Sequence, residues 1–111
     1  MVAIVTGGSR GIGKAIAEGL LKINYSVIVT ARNESEDIIK LREAYDGKLF
    51  FVPCDISDEN DRQRLFDFAQ SNFGKIDLLV NNAGVAPRES LFSVMIAISV
   101  IPSRYNQSAA L

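Results

Sequence analysis

The chain has 111 residues, with 12 basic and 13 acidic side chains, one cysteine, and neither histidine nor tryptophan. Without histidine there is no Ser-His-Asp triad, no Cys-His pair and no histidine-ligated metal; Cys54 alone makes neither an intrachain disulfide nor a cysteine zinc cluster. A net charge of −1 supplies no general field for nucleic acid or an acidic membrane, so neither is an expected partner.

The length suits one small domain with a core of its own. Met1 to Gly8 lacks a basic n-region and breaks at glycines, so it does not read as a signal peptide. The longest apolar run, Leu91 to Ile101, is shorter than the roughly 20 residues of a membrane-spanning helix. With a lone thiol, these features predict a cytoplasmic protein.

Val2 to Thr6 is short, apolar and β-branched, and reads as a buried strand ending at glycines. Lys14 to Lys22 follows as a helix, with Ile16, Leu20 and Leu21 apolar and Ala15, Ala17 and Gly19 small enough for close packing. Val27 to Thr30 is a second strand. Ser35 to Tyr45 carries Ile38, Ile39, Leu41 and Tyr45 at helical spacing, and Gly47 ends it. Leu49 to Cys54 is a third strand. Ser57 offers an N-cap, with Asp58 and Glu59 in the first turn, where carboxylates complement the helix dipole. Leu65, Phe66, Ala69 and Phe73 form that helix's buried stripe, and Gly74 stands where a terminating glycine belongs. Asp77 to Asn81 is a fourth strand.

This order is βαβαβαβ, with strands apolar throughout rather than alternating. Such strands belong to a parallel sheet covered on both faces. The predicted fold is α/β: three layers around a doubly wound parallel sheet of strand order 3-2-1-4. Residues 85–111 break the pattern. They carry three charges, Arg88, Glu89 and Arg104, and Leu91 to Ile101 shows neither a helical stripe nor a period of two. A chain ending here leaves the fourth strand as an edge, to be covered by a strand or helix of the tail or by another molecule.

Thr6-Gly7-Gly8-Ser9-Arg10-Gly11-Ile12-Gly13 lies between the first strand and the first helix. Gly7 permits a tight turn, Gly11 lets the backbone approach a pyrophosphate, and Gly13 lets helix and strand pack closely. The helix N-terminus adds amide donors and a partial positive charge. A ligand-free glycine turn is the plain alternative. A second alternative is a phosphate loop over Gly8 to Lys14, but the next residue is Ala15, where that motif needs a magnesium-binding hydroxyl.

Three segments together resemble the short-chain dehydrogenase/reductase family. They are Thr6-Gly7-x-x-x-Gly11-x-Gly13, Cys54-Asp55-Ile56-Ser57 after the third strand, and Asn81-Asn82-Ala83-Gly84 after the fourth. The resemblance covers roughly residues 1–88 and is nearest in wording to 3-oxoacyl-carrier-protein reductases. It implies the N-terminal half of a Rossmann domain over 1–88, followed by an atypical apolar tail over 89–111, which a truncated or frameshifted reading frame would explain. It also implies oxidoreduction of a carbonyl/alcohol pair with a dinucleotide cofactor. Thr6 and Gly7 to Gly13, with Gly8, Ser9 and Arg10 among them, would cradle the pyrophosphate, with Ile12 near the nicotinamide half. Asp55 would accept from the adenine amino group beside Ile56. Asn81, Asn82, Ala83 and Gly84 would line the adenosine side or fix the central sheet, and the two roles stand level. Full-length members of the family are expected to be homo-oligomers.

An NAD enzyme carries an acid at the end of the second strand for the ribose 2′-hydroxyl. Here the position is Ala31, followed by Arg32. Arg32, with Arg10, suits a 2′-phosphate, so NADP(H) is expected over NAD(H). Two solvated arginines and a ribose bonded to Glu34 are the other readings.

The family's acid–base pair is a tyrosine with a lysine four residues on, whose positive charge brings a phenol that titrates near pH 10 toward neutrality. Tyr25, Tyr45 and Tyr105 are followed at that spacing by Val29, Leu49 and Ala109. No catalytic residue is therefore assigned, and this sequence is expected to bind nucleotide without turnover. Asn106 falls near the distance of the family's catalytic asparagine, but in unrelated surroundings. Cys54 reads as a small buried hydrophobe.

Overall fold

The computed structural model describes residues 1–8, 11–82 and, as backbone, 97–100. Ser9, Arg10, Ala83, Gly84, Tyr105 and Asn106 lie outside the described residues.

Every residue of β1 (Val2–Thr6) is buried, so both of its faces are covered and its run of apolar side chains has no polar side to alternate with. The chain continues through α1 (Gly11–Lys22), β2 (Ser26–Ala31), α2 (Glu36–Ala44), β3 (Leu49–Pro53), α3 (Glu59–Phe73) and β4 (Leu78–Asn81). These four strands are parallel in the predicted order β3-β2-β1-β4, with Ile4 opposite both Ile28 and Leu79.

Alternate strand residues feed two cores. Ile4, Ile28, Val52 and Leu79 pack against Leu65, Phe66 and Ala69 of α3. Val5, Val27, Val29 and Val80 pack with Ala17 and Leu21 of α1 and Ile38 and Leu41 of α2. The sheet is thus the middle of three layers. Phe50 extends the α3 side, meeting Phe73 nearly edge-on at 5.3 Å and Phe68 at 6.2 Å between ring centroids. Ile39, which the helical spacing put with the buried residues, is 37% exposed.

Two local expectations are corrected. Asp58, not Ser57, caps α3: its carboxylate accepts from the amides of Asn60 and Asp61 at 2.8 and 3.3 Å. A carboxylate there answers both the orphan amides and the positive helix end. The first helix starts at Gly11 rather than Lys14. At the other end of α3, Gly74 has φ 73°, the left-handed conformation that glycine adopts without strain.

Of the covers expected for the edge of β4, the structure shows the first, a strand of the tail. A fifth strand, β5 (Ala97–Val100), pairs antiparallel with β4, placing Ala97 opposite Asn81 and Val100 opposite Leu78. Four residues of the tail thereby satisfy backbone groups that β4 would otherwise present. Among the described residues, no helix is long and apolar enough to cross a membrane.

Candidate functional site

Parallel strands bring their C-terminal ends to one side of the sheet, and the loops leaving them enclose a crevice there. In this chain the crevice is a cleft of about 500 Å³. Thr6 and Gly7 line it from the end of β1, Thr30, Ala31 and Arg32 from β2, Cys54 to Ser57 from the segment after β3, and Asn82 from the end of β4.

The glycines divide the work of shaping this end. Gly7 has φ 67°, and its amide donates to the Thr30 carbonyl at 2.7 Å, which turns the chain off β1. A Cβ on Gly8 would stand 2.9 Å from Cγ1 of Val29, so the loop lies directly on the sheet there. A Cβ on Gly13 would stand 2.5 Å from the Gly7 carbonyl oxygen and 2.8 Å from both Gly8 Cα and Asn82 Nδ2. Gly13 therefore packs the start of α1 against the loop's own backbone, rather than helix against strand. Gly11 differs: it has φ 62°, and among the described residues beyond its chain neighbours nothing lies within 4 Å of its missing Cβ. That open approach at a helix N-terminus fits a pyrophosphate. Beside it, Ile12 is 48% exposed.

Asn82 latches β4 to this loop. Its amide donates to Thr6 Oγ1 at 2.9 Å, and its side-chain Nδ2 donates to the Gly7 carbonyl at 3.3 Å. The Thr6 hydroxyl donates to the Val80 carbonyl at 3.3 Å. Asn81 is the last residue of β4, opposite Thr6.

After β3 the chain is pinned by α3. The Asp55 amide donates to Asp61 Oδ2 at 2.8 Å, and Arg62 donates to the Ile56 carbonyl at 2.8 Å. Asp55 Oδ1 accepts from the hydroxyl and amide of Ser57 at 2.6 and 3.0 Å. Those bonds, with a smaller contribution from Arg32, hold the Asp55 carboxyl below the usual aspartate range. Arg32 Nη2 lies 3.7 Å from Asp55 Oδ2, with the two side chains 77% and 38% exposed. An exposed pair at that distance holds neither partner firmly. Glu34 is not among the lining residues, and its carboxylate pairs with Arg42 at 3.0 Å.

The structure brings Thr6, Gly7, Arg32, Asp55, Ile56 and Asn82 of the predicted set to the cleft wall. Gly8, Gly11, Ile12 and Gly13 form the loop and helix start beside them, while Ser9, Arg10, Ala83 and Gly84 lie outside the described residues. Thr30, Ala31, Cys54 and Ser57 also line the cleft without having been assigned to it; each lies within two residues of an assigned one near a strand exit, and that proximity was the available signal. Cys54 is 5% exposed within the α3-side core, where it also borders the cleft, and burial pushes its thiol up. Tyr25 precedes β2 and Tyr45 precedes β3, at the opposite end of the parallel strands from the cleft. Both pack on the core shared with α1 and α2.

A family model for short chain dehydrogenases matches residues 1–99. The chain belongs to the short-chain dehydrogenase family. The family match continues past Arg88 into β5. An L-rhamnose 1-dehydrogenase (NADP(+)) of Thermoplasma acidophilum is 36% identical over 97 residues, which is 85% of this chain and 38% of the relative. Menthone neomenthol reductase of Mentha piperita superposes with a TM-score of 0.70 at 32% identity, over 75% of this chain and 31% of that one. A candidate 3-oxoacyl-reductase of Bacillus thuringiensis superposes with a TM-score of 0.69 at 38% identity, over 82% and 39%. The chain thus spans well under half the length of these relatives. Short-chain dehydrogenases are oxidoreductases that use an NAD(P) dinucleotide, and the glycine loop, open at Gly11 and closed at Gly8 and Gly13, suits one.

Proposed function

We propose that this chain is the cofactor-binding part of an NADP-dependent short-chain dehydrogenase acting on a carbonyl/alcohol pair. One observation carries the cofactor choice: the end of β2 presents Ala31 and then the exposed Arg32 to the cleft, where an NAD enzyme carries an acid. In this reading the Arg32 guanidinium takes the 2′-phosphate by charge-assisted hydrogen bonds, with Arg10 as a second donor. The Asp55 carboxylate, held ionised by Ser57, accepts from the adenine amino group, and Ile56 packs against the ring. Gly7 to Gly13 and the start of α1 receive the pyrophosphate, with Ile12 toward the nicotinamide. Asn81 to Gly84 border the adenosine side.

When bound, the nicotinamide supplies or accepts the hydride. The residues of this chain bind and orient the dinucleotide; a Tyr-x-x-x-Lys pair does not occur in its 111 residues. The wording of the glycine motif and the likeness to a candidate 3-oxoacyl-reductase favour a 3-oxoacyl substrate for the whole protein. The reading includes a homo-oligomeric whole protein, and a cytoplasmic setting in which Cys54 stays reduced. Over the rival phosphate-loop reading it has the advantage that Ala15, after Lys14, carries no hydroxyl for magnesium.

Titration of the purified chain with NADPH and NADH, read by nicotinamide fluorescence, tests this. NADPH is expected to bind more tightly, without being oxidised on addition of an acetoacetyl thioester. Arg32→Asp or Arg10→Glu is expected to weaken NADPH by about tenfold or more and NADH much less. Equal losses for both nucleotides overturn the 2′-phosphate assignment, and turnover overturns the non-catalytic reading of this sequence.

A further inference from the structure

We propose that Arg42 is a positioning residue for cofactor selectivity: by pairing with Glu34 it cancels the carboxylate of the β2–α2 loop, so that a 2′-phosphate settles beside Arg32. The inference rests on the 2′-phosphate reading of Arg32 given above.

The loop is short, Arg32 to Ser35, and its two charged side chains part company. Arg32 faces the cleft with 77% of its side chain exposed. Glu34, two residues on, is absent from the cleft wall and 22% exposed. Successive Cα atoms are 3.8 Å apart, so the two backbones lie within about 7.6 Å. Glu34 is thus within side-chain reach of a group bound at Arg32, and its side chain is turned away from the cleft.

Arg42 accounts for that direction. Its Nη2 donates to Glu34 Oε1 at 3.2 Å and lies 3.0 Å from Oε2. Oε2 is shut off from solvent and has no hydrogen-bond partner among the described residues, and the Arg42 guanidinium is the charge set against it there. Arg42 is itself well placed to hold. Ser35 caps α2 by accepting from the Ile38 amide at 3.2 Å, and Ile38 and the adjacent Leu41 are buried in the core. The helix that carries Arg42 is therefore anchored at both ends of the reach back to Glu34.

A carboxylate released on this loop has two effects that act together. It repels a phosphate dianion a few ångströms away, and it offers an acceptor to a ribose 2′-hydroxyl. Both favour NADH over NADPH. The ion pair suppresses both, although neither of its members lines the cleft.

The test measures NADPH and NADH dissociation constants for the wild-type chain, Arg42→Met, Glu34→Gln and the double variant, with circular dichroism as the check on folding. Arg42→Met is expected to lower the preference for NADPH by about tenfold. Glu34→Gln is expected to raise it, because the released guanidinium adds its charge, and the double variant is expected to return to the wild-type ratio. A merely structural Arg42 leaves the ratio lowered in the double variant, which overturns the proposal, as does an unchanged ratio in a folded Arg42→Met. If Arg42→Met does not fold, Glu34→Gln decides: a raised ratio supports the proposal and an unchanged or lowered one overturns it. A wild-type chain without preference for NADPH removes the underlying reading. A wild-type preference that none of these variants shifts removes the Arg42 inference alone.

Discussion

Asn82 reaches back across 75 residues of sequence to bond the carbonyl of Gly7. Its backbone amide makes a second bond, to the Thr6 hydroxyl. The end of β4 therefore sets the shape of the loop after β1, and the residue's first task is structural. Asn82→Ala removes the side-chain bond and is expected to cost about 1 kcal/mol, read by urea denaturation. NADPH affinity is expected to fall with it, since the loop loses its brace. An unchanged affinity in the destabilised variant shows that the loop holds its shape unaided.

Gly11 and Gly13 are two residues apart and should respond to alanine differently. At Gly13 the new methyl would meet the Gly7 carbonyl oxygen at 2.5 Å, and backbone cannot yield as a flexible side chain does. Gly13→Ala is expected to cost about 1–3 kcal/mol and to abolish NADPH binding. At Gly11 the methyl enters open space, leaving only the penalty of a left-handed φ, about 1–2 kcal/mol. Thermal melts and nucleotide titrations of the two variants separate the effects. A Gly13→Ala protein that binds normally contradicts the close packing of loop and helix.

Asp77, just before β4, ties that strand to β1 at the end away from the cleft. Its carboxylate accepts from the Val2 amide at 2.7 Å, its own amide donates to the Val2 carbonyl at 2.8 Å, and Lys75 lies 3.3 Å away. Val2 is buried, so its amide has little recourse to water. Asp77→Ala is expected to cost about 1.5–3 kcal/mol, and Asp77→Asn less, because the amide oxygen still accepts. Equal losses in chemical denaturation mean that charge, not the hydrogen bond, is what matters.

The hydrogen bonds from Ser57 hold the Asp55 carboxyl below its ordinary value in the folded chain. A depressed folded value favours folding wherever the carboxylate is ionised. That contribution is present above the unfolded aspartate pKa and disappears as the pH falls through the lower, folded value. Carbon-detected NMR titration of Asp55 in wild type and Ser57→Ala checks it: the variant is expected to titrate at higher pH. Coincident curves assign the shift to something other than Ser57.

Most of the parallel sheet was legible because burial on both faces leaves a strong mark: Val2 to Thr6 has no polar position to confuse with a helix or a hairpin. Boundaries were less secure. Ser57 and Asp58 are both good capping residues, and only the backbone course decides that Asp58 meets the orphan amides while Ser57 turns to Asp55. β5 was not legible, since Ala97 to Val100 sits in a longer apolar run without a period, and its strand character comes from the open edge of β4. At the cleft, Arg32 was readable from its place at the end of the second strand, and Asp55 through the motif after the third. The Glu34–Arg42 pair was not, because it joins the loop before α2 to the last turn of that helix, residues eight apart whose meeting no spacing rule encodes.

The central place of β1 bears on how the protein is made. β1 is made before the other strands of this sheet, yet its two neighbours are β2 and β4, and the latch on its glycine loop is residue 82. Synthesis of β2 covers one side only. Until β4 follows, the nascent chain carries an apolar strand with an unpaired margin, and loop closure over more than 70 residues must precede the contacts that reward it. The cleft is thus completed late, although the glycines that shape it precede its other walls in the chain, and nucleotide present during synthesis meets a fully walled site only once Asn82 has cleared the exit tunnel.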